Sequence, residues 1–324
     1  MNDATPKAVP DSVELLAPAK INPWLEILHR RDDGFHELEG LFLCVDWCDR
    51  LRARLSKGGD TGGGDAGEIR LRGSGPAWSP DIPLGRDNLV WRAVDATRRA
   101  LGRPECGLEV ELEKHVPSGA GLGGGSSDAA AAVRATEILL GAQLADGVAE
   151  DLLAALGSDC VFFRNAITTG FATCKGRGEQ VRAEVLHDTA WTVAVLVPDL
   201  SIATRDVYAA LAFPLSPPAP TPSLAPEDFG ASEIALRAKF FNRLESIALQ
   251  QFPRLRAWRD LLDRNGAEHF RMSGSGSAFF GFFRDADLAE SRLGELTRAA
   301  RDEGLELRGF RCASPAGRGT SLVT

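Results

Sequence analysis

Between a strand-like segment and a helix-like one, the chain reads Pro117-Ser-Gly-Ala-Gly-Leu-Gly-Gly-Gly-Ser-Ser-Asp128. The glycines at 119, 121, 123, 124 and 125 permit positive φ and let backbone N–H groups approach a ligand. The helix that follows presents the positive end of its dipole. Together these suit an anion, and phosphate first. Two common phosphate loops are excluded. Gly119, Gly121 and Gly124 satisfy G-x-G-x-x-G, but a dinucleotide fold needs an acidic residue ending a second strand about 20 positions on, and Glu137 falls inside the helical run. The Walker pattern fails because no Gly-Lys-Ser/Thr follows.

Other segments carry chemistry of less definite kind. Ala17-Pro-Ala-Lys20-Ile-Asn22 places one ammonium and one amide in an apolar run; such a lysine is a snorkelling surface residue or a functional one. Arg31-Asp-Asp-Gly-Phe35-His36-Glu-Leu38 sets an aromatic ring and an imidazole beside a glycine turn. Asp159, in Gly157-Ser-Asp159-Cys-Val-Phe-Phe163, precedes an apolar run, where it caps a turn or serves as a general base. Met272-Ser-Gly274-Ser275-Gly276-Ser-Ala278 is a second glycine loop, leading into Phe279-Phe280, and offers a second phosphate cradle or a tight turn.

These residues need elements to hold them. Alternation over Leu41 to Leu55, resuming at Ile69 to Arg72, predicts strands. Asn88 to Leu101 has helical spacing with Asn88 as its cap. Leu108, Val110 and Leu112 alternate with glutamates as a strand entering the glycine loop, and an alanine-rich helix from Asp128 to Leu140 leaves it. A helix is expected at Ala145 to Leu156, strands at Ile167 to Cys174 and Trp191 to Val197, and a helical stretch at Ala231 to Leu262 broken near Pro253. A strand at Phe279 to Phe283, a helix at Ala286 to Glu303 and a strand near Leu305 to Arg311 complete the pattern. The glycine-rich Gly58 to Gly67 and the proline-rich Phe213 to Asp228 read as surface loops. The fold class is α+β, with a boundary between residues 175 and 190 and domains taken as 1–180 and 181–324.

Composition narrows the partners. With 44% hydrophobic and 25% charged residues over 324 positions, the chain is of globular type. A net charge of −8 disfavours nucleic acid and anionic membranes as partners but not a small phosphate ligand. The start lacks the apolar core of a signal peptide, so a cytoplasmic location is expected. Six cysteines are sparse for this length, which points to reduced thiols. Nothing in the sequence signals an oligomeric state.

Pro-Ala-Lys20-Ile-Asn22, Pro117 to Ser127 and Met272 to Gly276 follow the order and spacing of the three signatures of the GHMP kinase superfamily, which this chain resembles from Leu15 to Arg311. Arg31 to Leu38, Asp87-Asn-Leu-Val90, Leu156-Gly-Ser-Asp159, Gly176-Arg-Gly-Glu179 and Ser201-Ile-Ala-Thr204 resemble the branch that phosphorylates a cytidine-diphosphate-linked methylerythritol in the non-mevalonate isoprenoid route. The resemblance implies a two-domain fold, a ribosomal-S5-domain-2-like N-terminal domain plus an α/β-sandwich C-terminal domain. It also implies ATP and Mg²⁺ as cofactors, with no protein ligand assigned to the metal, and a small-molecule acceptor phosphorylated on its 2-hydroxyl.

Residue by residue, the resemblance assigns the ATP phosphates to Pro117, Ser118, Gly119, Ala120, Gly121, Leu122, Gly123, Gly124, Gly125, Ser126 and Ser127, and the adenine to the neighbourhood of Asn88 and Lys114. His36 and Phe35 would hold cytosine, by hydrogen bonds and by stacking, while Asn22, Thr204, Gly274, Ser275 and Gly276 line the substrate side. Lys20 and Asp159 fall where the family places its catalytic pair. Three positions depart from the family pattern: Cys160-Val161 stands for Val-Pro or Ile-Pro, Phe35 for tyrosine, and Ala203 for proline. The alternatives are a kinase of another small alcohol, of mevalonate or homoserine type, and an inactive nucleotide-binding paralogue.

Overall fold

The computed structural model describes residues 9–56, 67–165, 169–186, 188, 190–211 and 224–316. Its first elements are two long antiparallel strands, β1 (Ser12–Arg30) and β2 (His36–Leu55). Val13, Leu15 and Ala17 face one core, Ala19 and Ile21 face another, and Leu25 and Ile27 return to the first. Register shifts after Pro18 and after Ile21 cause the two reversals, because an irregularity in pairing changes which face a given parity meets. Pro18, which has no N–H for the ladder, sits at the first of them. Between the shifts the even residues Lys20 and Asn22 therefore take the face that odd residues hold elsewhere along β1.

The chain continues through β3 (Ile69–Ser74), α1 (Leu89–Ala100), β4 (Leu108–Glu113), α2 (Gly124–Leu139), α3 (Asp146–Leu156), α4 (Ser158–Asn165), β5 (Gly170–Gly176) and β6 (Gln180–Val185). It ends with β7 (Thr192–Pro198), α5 (Thr204–Ala209), a 3₁₀ turn at Pro226–Gly230, α6 (Glu233–Arg237), β8 (Phe241–Asn242), α7 (Arg243–Gln251), α8 (Pro253–Arg264), β9 (Arg271–Met272), β10 (Phe279–Phe283), α9 (Ala286–Asp302) and β11 (Leu307–Ala313). The first sheet runs β3-β4-β2-β1-β8, and a β5-β6 hairpin joins it along the other half of β2. β8 pairs with β1 through Trp24 and Leu25, so a late part of the chain returns to the first sheet. The second sheet runs β11-β7-β10-β9.

One core lies between the sheets, built from Ile21, Leu43 and Trp47 on one side and Val193, Val195, Phe280 and Phe282 on the other. The outer faces carry helices, which is why β7 is apolar at every position from Val193 to Val197 and buried on both sides. The mixture of helices and sheets is of the α+β class that the sequence pattern leads one to expect. Among the described residues no helix is long and apolar enough to cross a membrane.

Several boundaries differ from the sequence reading. α2 begins at Gly124, four residues before Asp128, since Gly124 to Ser127 form its first turn instead of ending the loop. Asp159 lies within the first turn of α4, a helix too short to show a period. The stretch from Ala231 to Leu262 is interrupted by β8 as well as at Pro253. Residues 58–66 of the glycine-rich segment, residues 167–168 of the strand expected at Ile167 to Cys174 and residues 213–223 of the proline-rich segment lie outside the described residues. The end of that last segment is not loop throughout, because Pro226 opens a 3₁₀ turn.

Candidate active site

The two glycine loops meet. Gly121 has φ +77°, and a Cβ there would lie 2.1 Å from the Ser273 carbonyl oxygen, so only glycine admits the second loop at this distance. The Ser273 hydroxyl donates to the Gly121 carbonyl at 2.9 Å, and the Ala278 N–H donates to Ala120 at 3.0 Å. Asn242, at the end of β8, holds the other side of the second loop through the Met272 and Gly274 carbonyls at 2.7 and 2.8 Å. Arg308 of β11 ties the first loop to the segment after β7, donating to Ser118 and Leu200 carbonyls at 2.7 and 2.5 Å.

A cavity of about 850 Å³ opens over this junction. At its floor α2 begins after Gly123, whose φ of +69° and missing side chain leave the first N–H groups of the helix without a side-chain cap. An uncapped helix N-terminus is an anion site by charge and by geometry. The alanines at 129 to 132 are buried, which lets the helix pack close against the first sheet behind that end.

Lys20 reaches the same floor from β1. Its N–H donates to the Leu122 carbonyl at 2.8 Å, and its ammonium donates to Asn22 Oδ1 at 2.6 Å. The ammonium lies 3.5 Å from Asp159 Oδ2 and 5.0 Å from the centre of the Phe42 ring. The lysine side chain is 5% exposed and the aspartate 29%, so the carboxylate faces the cavity while the ammonium is held behind it. α4 presents Asp159 without the proline of the family pattern, its other face being anchored by buried Cys160, Val161, Phe162 and Phe163.

In the same cavity Phe35 is half exposed, with the Arg177 guanidinium 4.7 Å from its ring centre. The Asp33 carboxylate accepts the Phe35 N–H at 3.1 Å and shapes the turn. The His36 ring is 5.0 Å from that of Tyr208 on α5. Partial burial lowers the His36 pKa, and Arg30 lowers it further, which favours the neutral imidazole. Thr204 and Ser275 share a hydroxyl hydrogen bond at 2.9 Å, closing the cavity between α5 and the second glycine loop. Among the described residues Asp159 is the one carboxylate in the lining, whereas Lys20, Arg30, Arg177 and Arg205 are all cationic. The site is positive in a chain of net charge −8.

A family model described as GHMP kinases N terminal domain matches residues 88–165, and one described as GHMP kinases C terminal matches residues 223–302. The 4-diphosphocytidyl-2-C-methyl-D-erythritol kinase of Geobacter sp. (strain M21) is 33% identical over 286 residues, covering 88% of this chain and 95% of the relative. The chain belongs to the 4-diphosphocytidyl-2-C-methyl-D-erythritol kinase family of GHMP kinases. The enzyme of that name from Heliobacterium modesticaldum is 36% identical over 299 residues, 86% of this chain and 89% of its own. A crystal structure of 4-(cytidine 5'-diphospho)-2C-methyl-D-erythritol kinase superposes with a TM-score of 0.72 at 31% identity, covering 94% of this chain and 99% of the other. Homoserine kinase from Cytophaga hutchinsonii, with a TM-score of 0.69 at 18% identity over 98% of this chain and 99% of its own, shares the fold.

In this GHMP kinase the cavity gathers Lys20, Asn22, Phe35, His36, Asp159, Thr204, Gly274 and Ser275 with Pro117, Gly119, Ala120, Gly121, Gly123, Gly124, Gly125 and Ser126. Six expected residues stand outside its lining. Ser118 is exposed, and Leu122 is buried in the core between the sheets. Ser127 is buried behind the first turn of α2, and the Gly276 N–H is spent on the Ser273 carbonyl at 2.9 Å. Asn88 caps α1 by accepting from Val90 at 2.8 Å and donates to the Pro83 carbonyl at 2.7 Å, while the next residue, Leu89, is the one that lines the cavity.

Lys114 departs furthest from expectation. Its side chain is 2% exposed and its ammonium is enclosed by Asp49 and Asp128. Its backbone N–H and carbonyl are paired with Ser74 and Ala77. Burial works against its charge, but the two carboxylates overcome that and raise its pKa. Tyr208, Arg30, Arg205, Asn242 and Arg308 were not singled out in the sequence. An aromatic four residues after Thr204 was the available signal for Tyr208; the arginines are three among many.

Proposed function

We propose that this chain transfers the γ-phosphoryl group of ATP to the 2-hydroxyl of 4-diphosphocytidyl-2-C-methyl-D-erythritol. The observation that carries this reading is the approach of Lys20 and Asp159 to 3.5 Å beside the uncapped start of α2, in a cavity that Phe35 and His36 also line. The triphosphate would lie along residues 119–126, its γ-phosphoryl toward Lys20. The cytosine would rest on Phe35, and the neutral His36 would meet its polar edge as both donor and acceptor.

The acceptor hydroxyl sits on a carbon bearing a methyl branch, so it is hindered and gains most from a positioned base. Asp159 takes its proton as the O–P bond forms, a contribution of about 10²–10⁴-fold, and its exposure lets that proton pass on to solvent. Lys20, oriented by Asn22, offsets charge on the phosphoryl oxygens and fixes the Asp159 rotamer. Among the described residues no three His, Cys, Asp or Glu side chains converge as a metal site. Mg²⁺ fits as an ion carried by the triphosphate's own oxygens, with the Ser126 hydroxyl at hand in the lining, and it would supply charge neutralisation. A cytoplasmic setting, where ATP is supplied, accords with this reading.

The test is ADP release by purified protein with ATP and Mg²⁺, run separately with the cytidyl substrate, mevalonate and homoserine. Turnover of the first alone is expected, because either smaller alcohol would leave the Phe35 shelf empty. Turnover of mevalonate or homoserine at a comparable rate, or of none of the three, would overturn it.

A further inference from the structure

The cavity makes no use of the Lys114 ammonium, yet that ammonium lies directly behind the phosphate-binding loop. Three titratable side chains from three places in the chain meet there, and burial pushes the Asp128 carboxyl up to about 7 against the pull of the Lys114 ammonium. Asp49 comes from β2, Lys114 follows β4, and Asp128 stands in α2, with side-chain exposures of 0, 2 and 3%. The ammonium donates to Asp49 Oδ2 and, at 2.6 Å, to Asp128 Oδ2. The other Asp49 oxygen accepts the N–H groups of His115 and Val116 at 2.5 and 2.8 Å, and these residues lead into the loop. Asp128 stands where the chain has just left it. One ammonium thus joins the entry of the loop to its exit.

The cluster also touches the binding end itself. A Cβ on Gly124, the first residue of α2, would lie 3.3 Å from the Lys114 ammonium and 3.4 Å from Asp49 Oδ2. Burying such a cluster gives little net stability compared with an apolar filling of the same space. What it does give is direction, because an ammonium has three donors and each carboxylate oxygen accepts from a definite side. A loop with five glycines between 119 and 125 has little stiffness of its own and needs such anchors.

We propose that the Asp49–Lys114–Asp128 cluster is a positioning device for nucleotide binding, which sets the backbone of the glycine loop and the first turn of α2 before ATP arrives. Its members are positioning residues, and none of them touches the nucleotide. The proposal rests on the reading of residues 119–126 as the ATP phosphate site. Preorganisation of this kind lowers the ordering cost of binding, so its loss falls on ATP and spares the acceptor.

Two substitutions in the full-length protein test it. Asp128→Leu removes one anchor and leaves Lys114 paired with Asp49; Asp128→Asn keeps an oxygen for the ammonium but not the carboxyl group. The KM values for ATP and for the cytidyl substrate are measured separately, with hydrogen exchange of the amides of residues 117–126 in the absence of nucleotide. For Asp128→Leu the ATP KM and the loop exchange rate are each expected to rise about tenfold, the other KM and the β10 amides changing less than about twofold. Asp128→Asn is expected between, at about two- to threefold in both readouts.

A folded Asp128→Leu protein with the wild-type ATP KM and loop exchange would overturn the proposal. So would equal rises in both KM values with faster exchange throughout, the mark of a merely structural role. If Asp128→Leu does not fold, Asp128→Asn decides alone: faster exchange confined to residues 117–126 supports the cluster's role, and wild-type exchange there refutes it. The exchange readout needs no turnover, so an inactive wild-type enzyme would count against the proposed reaction and leave this test standing.

Discussion

Lys20 and Asp159 are held 3.5 Å apart by elements that are distant in the chain, the irregular middle of β1 and the first turn of α4. The register shift after Pro18 directs Lys20 toward the start of α2, and Asn22, two residues on and on the same face, accepts from its ammonium. The pair is therefore a product of strand irregularity and helix placement together.

Replacing either member should stop transfer without emptying the site. For Asp159→Asn, which keeps the shape and loses the base, kcat is expected to fall by about 10²–10⁴-fold with the ATP KM little changed. Lys20→Met is expected to lose at least as much, since it removes charge from the phosphoryl path and a partner from Asp159. Steady-state kinetics on both variants check this; near-wild-type kcat in Asp159→Asn would remove the base from the mechanism.

Gly121→Ala probes the junction of the two loops. The new Cβ would overlap the Ser273 carbonyl, and φ is +77°. A left-handed residue with a side chain costs about 1–2 kcal/mol before any overlap is counted. A loss of about 2–4 kcal/mol in denaturant unfolding is expected, with both KM values raised because both loops move.

Phe35→Ala should act on one substrate only. It removes the exposed ring on which Arg177 lies, so the KM for the cytidyl substrate is expected to rise about tenfold while that for ATP stays the same. Equal effects on both KM values would place the ring elsewhere in the mechanism.

His36 gives a pH dependence. Its folded pKa is lowered, first by burial and then by Arg30, from the ordinary value of 6.5. The unfolded chain therefore takes up the proton first, and the stability tied to the neutral ring is present above pH 6.5 and lost as pH falls through the lower folded value. Binding follows the same sign. The KM for the cytidyl substrate is expected to be flat from pH 7 to 8 and to rise once the pH falls through the folded pKa, below 6.5, and His36→Gln should remove that acid limb along with part of the affinity.

Much of the frame was legible because local signals agreed. Alternation in Leu108 to Glu113, the glycine run and the alanines after it left one reading, strand to loop to helix, and Asn88 was readable as a cap. β1 was not legible as a strand, since Pro18 and three register shifts break its period and its middle is buried on both faces. α4 offers too few residues to display a helical period. The position of Lys114 was hidden for a different reason. Its partners Asp49 and Asp128 lie 65 and 14 residues away, and only the pairing of β2 with β4 and the packing of α2 bring them to it.

The most direct measurement is the identity of the product. Protein, ATP and Mg²⁺ are incubated with 4-diphosphocytidyl-2-C-methyl-D-erythritol, and the new phosphate is located by phosphorus–carbon coupling in the NMR spectrum. The account predicts one phosphomonoester, coupled to the methyl-bearing carbon and formed in step with ADP. ADP appearing without a phosphorylated acceptor, or phosphate on another hydroxyl, would contradict it.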